Sequence, residues 1–90
     1  MWATYDDSEF PLIRVKLEGK IKNNEDFYTF TTTWDSYNSR RNDYVLVFDA
    51  REVGYVSIKY AFKMASFIKE LKRKEQYLKS SIIIVESKYL

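Results

Sequence analysis

The spacing of apolar residues along this chain shifts between the period of a strand and that of a helix, and the shifts predict its elements. Ile13, Val15 and Leu17 alternate with Arg14, Lys16 and Glu18, the pattern of a half-exposed strand, and Gly19 closes it. Ahead of it, residues 2–9 read as an extended arm, counted as a weak first strand, and Phe10-Pro11 as a turn or strand entry. Asn23-Asn24-Glu25-Asp26 is a helix start, an Asn cap followed by acids that suit the helix dipole. Phe27, Phe30, Trp34 and Tyr37 then recur at helical spacing. Thr29 and Thr31-Thr32-Thr33 pull toward a strand, but the aromatic spacing decides for a helix, ended by the polar stretch Asn38–Asp43.

Asp43–Ala50 carries a continuous apolar run, Tyr44-Val45-Leu46-Val47-Phe48, and predicts a buried parallel strand. A loop is expected over Arg51–Val56, with Gly54 available for a positive φ. Ser57 then caps a second helix running to about Lys74, with Ala61, Met64, Ala65, Ile68 and Leu71 as its buried face. Ser81–Glu86 reads as a second fully buried strand. The expected architecture is one α/β domain over residues 1–90, a four-stranded mixed sheet with two main helices and right-handed parallel crossovers. Two helices leave one sheet face thinly covered. The loop after the central strand lies where open α/β sheets usually place their working surface.

Composition narrows the function. The chain is 46% apolar and 18% aromatic, too rich for disorder, and it contains neither cysteine nor histidine. Disulfides, thiolate metal sites and histidine acid–base chemistry are therefore excluded, and no cofactor is expected. Without a signal-peptide pattern the expected compartment is the cytoplasm. The apolar runs Tyr44–Phe48 and Ile82–Val85 are too short to cross a bilayer. Net charge is only +2, although Lys59 to Lys79 carries seven basic residues against two acidic ones. Within that span, the Lys69–Lys74 cluster reads as a helix end matched to its dipole rather than a nucleic-acid or anionic-membrane surface, and near-neutral net charge argues against a dedicated nucleic-acid binder.

The segment from Val45 to Ser57 resembles the core of STAS domains, the family of bacterial anti-sigma-factor antagonists and sulfate-transporter tails. Asp49 stands at the end of an apolar strand, Val53 follows four positions on, then Tyr55-Val56 and a capping Ser57. The resemblance runs from about Pro11 to Glu86 and implies a module that docks onto other proteins. In the antagonists the helix cap reads Asp-Ser-Ser-Gly, and its first serine is phosphorylated. Aligned on Asp49, Ser57 takes the place of the capping aspartate and Ile58 that of the phosphoacceptor, so the switch carries over only if Ser57 substitutes for it. The family also continues past the position of Val85, which implies a shortened version whose bare face is met by a partner or a second copy.

Residue by residue, Ser57 is a helix N-cap and, in the functional reading, a phosphorylation site. Asp49, Glu52 and Asp43 resemble a carboxylate cluster, but no set of converging ligands for a hard cation is evident, and Asp49 is expected to hold the following loop through backbone N–H groups. The aromatic stripe reads as core. Surface tyrosines favour contact with another protein. The sequence therefore predicts a non-enzymatic, STAS-like interaction module that uses Arg51, Glu52, Tyr55, Ser57, Lys59 and Tyr60. A homodimer is among its expected states. The alternative is a small-molecule or lipid-binding domain of related fold.

Overall fold

The computed structural model describes residues 2–54, 57–74 and 76–85. Its elements are β1 (Ala3–Glu9), β2 (Leu12–Gly19), α1 (Asn24–Asn38), β3 (Tyr44–Val53), α2 (Ile58–Arg73) and β4 (Leu78–Ile84). They form a single mixed sheet in the order β1-β2-β3-β4. β1 and β2 make an antiparallel hairpin; β2–β3 and β3–β4 are parallel. The architecture is the α/β one expected. Because both crossovers step in the same direction across the sheet, the right-handed rule puts α1 and α2 on one face and leaves the other bare.

The core follows from the alternation along the strands. Ile13, Val15 and Leu17 of β2, with Tyr44, Leu46 and Phe48 of β3, point beneath the helices and are buried. α1 seals them with Phe27, Phe30, Trp34 and Tyr37, all buried as their spacing predicted. Its start is set by Asn23, whose side chain accepts from the Asp26 N–H at 2.9 Å. The threonines tolerate the helix by turning their hydroxyls back: Thr31 donates to the Phe27 carbonyl at 3.2 Å and Thr33 to that of Thr29 at 2.8 Å. At the end of α1 a buried polar chain ties the elements together. The Trp34 indole N–H donates to the Tyr44 hydroxyl at 3.2 Å, and that hydroxyl donates to Asn38 Oδ1 at 3.4 Å. Asn38 Oδ1 also accepts from the Tyr77 backbone N–H at 3.1 Å.

Several expectations need correcting. The extended arm is a full strand: Ala3 to Asp6 pair with Leu17 to Arg14, because Trp2 and Ala3 have apolar surface to bury at that edge. The central strand runs on through Arg51, Glu52 and Val53, since Glu18 and Gly19 of β2 supply pairing partners for Glu52 and Val53. Gly54 does not adopt a positive φ; Gly19 does, at 67°. A Cβ at Gly54 would meet the Gly19 carbonyl oxygen at 3.3 Å, a tight contact that favours glycine at this close backbone approach. On α2 the buried face is turned from the expected one. Tyr60 and Leu71 are buried, Met64, Phe67 and Ile68 are half-buried, and Ala61 and Ala65 face solvent, because Tyr60 and Phe67 stack on Phe27 and Trp34 and bury more area than alanine can. Finally, β4 is not buried. It spans Leu78–Ile84 as an edge strand with exposed Ile82, Ile83 and Ile84.

Candidate functional site

The corner at the carboxyl end of β3 gathers most of the residues singled out from sequence. Asp49 and Arg51 lie two apart on one strand, so their side chains share a face. The Arg51 guanidinium donates through Nε to Asp49 Oδ1 at 2.9 Å and through Nη2 to Oδ2 at 2.8 Å. The Arg51 backbone N–H adds a third bond to Oδ1 at 3.2 Å, the backbone role expected of Asp49. This bidentate grip pulls the Asp49 pKa down to about 2. Glu52 pairs with Lys16 of β2 at 3.2 Å, and that contact raises the lysine's pKa.

Ser57 is the N-cap of α2, its side chain accepting from the Tyr60 N–H at 3.4 Å. Lys59 is exposed, with its ammonium 5.4 Å from the centre of the Tyr60 ring. Tyr60 itself is buried against Phe27 and donates its hydroxyl to Asn24 Oδ1 at 3.2 Å. It joins the two helices and offers little to a partner. Tyr55 lies outside the described residues. The corner thus unites Arg51, Glu52, Ser57 and Lys59, and its ionic groups are largely satisfied within the chain. Asp43 lies at the opposite end of β3, where it pairs with Lys79 at 3.6 Å. Among the described residues no cluster of three or more His, Cys, Asp or Glu is placed to hold a metal ion. Among the described residues no helix is long and apolar enough to cross a membrane.

The basic end of α2 is likewise engaged: Lys74 pairs with Asp35 of α1 at 3.3 Å and Arg73 with Glu70 at 3.1 Å. A run of exposed apolar residues lies elsewhere, on β4. On the bare sheet face the register aligns Asp6, Arg14, Val47 and Ile82 in one row across all four strands. A second row runs Thr4, Lys16, Asp49 and Ile84. This face is charged over β1 and β2 and at the carboxyl end of β3, and apolar at Val45, Val47, Ile82 and Ile84. At its margin Ile82, Ile83 and Ile84 are 52%, 65% and 39% exposed. Since side chains alternate, Ile82 and Ile84 belong to the bare face and Ile83 to the helix face, so the edge is apolar on both sides. β4 has a single strand neighbour, and alternate N–H and C=O groups along it face outward.

Sequence reasoning missed this edge because an uninterrupted apolar run looks the same in a central strand and at an edge. The signal that separates them is positional. The last strand added by two crossovers of the same hand and direction must sit at the margin, and Lys79-Ser80-Ser81 is a polar lead-in unsuited to a buried strand. Compared with protein-family models, curated proteins and solved structures, the chain matches none.

Proposed function

We propose that this chain is a protein-interaction module that works by binding rather than by chemistry, and that its docking element is the β4 edge, taken by β4 of a second copy. The observation that carries this reading is the exposure of three consecutive isoleucines on a strand with one neighbour. Exposed apolar edges are templates for strand addition, and proteins that do not use them blunt them with charge, proline or bulges. None of these interrupts residues 80–85.

The edge fits itself. When two identical strands pair antiparallel about a two-fold axis normal to the sheet, opposed residues share a face. With the axis at Ile83, Ile82 opposes Ile84 of the second copy on the bare face, and Ile83 opposes its own counterpart on the helix face. Each exposed isoleucine then meets an isoleucine, and no like charges face each other between Ser80 and Val85. The STAS-like order of elements supports docking as the class of activity. The surface moves from the Arg51–Tyr60 corner to β4 because Arg51 and Glu52 have partners within the chain and Tyr60 is buried. The absence of histidine and cysteine from the sequence supports a role without catalysis.

Light scattering after size exclusion tests the reading. The wild-type chain is expected at twice its 10.8 kDa mass, and Ile83→Lys at the monomer mass with an unchanged far-UV spectrum. A wild type that stays monomeric at high micromolar concentration overturns the proposal.

A further inference from the structure

On the helix face, where the densely packed half of the molecule meets α2 and β4, there is a pocket of about 220 Å³, partly open to solvent. Phe30, Trp34 and Phe48 wall it from the core side, Met64 and Ile68 from α2, and Ile83 from β4. Trp2, also on the wall, carries a buried indole N–H that has no hydrogen-bond partner among the described residues. The lining is apolar apart from the Ser81 hydroxyl and the Trp2 indole N–H, the character of a small-molecule pocket.

We infer that this cavity binds the alkyl chain of a single-chain amphiphile, entering between α2 and β4 past Ser81 and Ile83. The wall carries no charged side chain, so an ionised group inside it would be stripped of water without compensation. A polar head must remain at the mouth, where Ser81 supplies a hydroxyl on an exposed stretch of β4. Met64 on the α2 wall is unbranched and adapts to a flexible chain. The class follows from these constraints: an apolar tail with a small polar head, whether free or drawn from a membrane. The pocket shares Ile83 with the proposed strand pairing, but its test reads fluorescence and ligand stoichiometry rather than mass, so the two readings fail separately.

The wall provides its own reporter, since Trp2 and Trp34 are the only tryptophans in the sequence. Titration with 1-decanol is expected to give a saturable change in tryptophan fluorescence at one molecule per chain. Met64→Phe, which fills the cavity with a larger apolar side chain, is expected to weaken binding at least tenfold while keeping the far-UV spectrum. Vesicles of neutral phospholipid separate the two sources: a fluorescence change with decanol alone assigns a free ligand, and one with both assigns a membrane-derived chain. A linear, unsaturable response to decanol, or an equal response from a folded Met64→Phe variant, overturns the inference.

Discussion

The two crossover units of this small sheet are built alike and packed very differently. In the first, β2, α1 and β3 bury Ile13, Val15, Phe30, Trp34, Tyr44 and Leu46, four of them at or near zero exposure. In the second, α2 buries only Tyr60 and Leu71, and β4 buries nothing. α1 lies over the middle of the sheet with strands on both sides, whereas α2 lies over its margin, where half the surface it needs is missing. The stability of the domain resides in the first unit. The second is held by the β3–β4 ladder, Tyr60 on Phe27, Phe67 on Trp34 and the Lys74–Asp35 pair, and leaves part of its apolar surface uncovered.

The sharpest way to break this contrast is to truncate one residue in each unit. Leu46→Ala, in a position with no exposure, is expected to cost about 3 kcal/mol or more in urea unfolding. Ile82→Ala on β4 is expected to cost below about 1 kcal/mol in the monomer, since a half-exposed side chain loses little transfer energy. Equal costs would erase the distinction between the two units.

The polar chain that ends α1 comes next. Asn38→Leu leaves the Tyr44 hydroxyl and the Tyr77 N–H without their acceptor, which predicts a loss of about 1–3 kcal/mol. A neutral result in urea unfolding would mean that the chain from Trp34 to Tyr77 is incidental to the packed unit.

Helix caps give a smaller comparison. Asn23→Ala should cost about 1 kcal/mol, because its bond to the Asp26 N–H is short, at 2.9 Å. Ser57→Ala should cost less, its bond being 3.4 Å and its helix the looser one. The reverse order in thermal unfolding would place more of the stability in α2 than its burial implies.

The smallest effect concerns pH. Asp49 has a pKa of about 2 in the folded chain, held down by Arg51, against about 4 when unfolded. Its contribution is therefore fully present above pH 4 and is lost as pH falls toward 2. Asp49→Asn should remove that part of the acid-induced drop in the urea midpoint and leave stability at pH 7 little changed, because the pair is exposed to solvent. An identical acid profile for the variant would mean that the pairing with Arg51 does not differ between folded and unfolded chains.

How far the fold could be read from sequence follows the same division. Where burial is decided by periodicity, as in β2 and α1, the residues named from spacing are those found inside. Ser57 and the Asn23-Asn24 pair declare their helix starts because Ser and Asn side chains can accept from first-turn N–H groups, although only the structure decides for Asn23 over Asn24. The faces of α2 and β4 were not legible, since their burial depends on what lies beside them. Ala61 and Ala65 fit an apolar stripe but lose their place to Tyr60 and Phe67, which have more area to bury. Ile82, Ile83 and Ile84 have the composition of a central strand and take the position of an edge. At the candidate corner the sequence assigned Asp49 a backbone bond and Ser57 a helix cap, and both bonds are present. It did not disclose that the charges satisfy one another, because the partner Lys16 is distant in sequence.

The central claim is that β4 pairs with itself about Ile83, and the absence of cysteine from the chain allows a direct test by crosslinking. Opposed residues of an antiparallel pair have Cα atoms about 4.5–5.5 Å apart, within the span of a disulfide. Ile83→Cys is therefore predicted to form a covalent dimer rapidly under mild oxidation. Ser80→Cys should stay reduced, because its copies would be six residues apart along the paired strands, about 20 Å. Slow or equal crosslinking of the two variants would contradict the account.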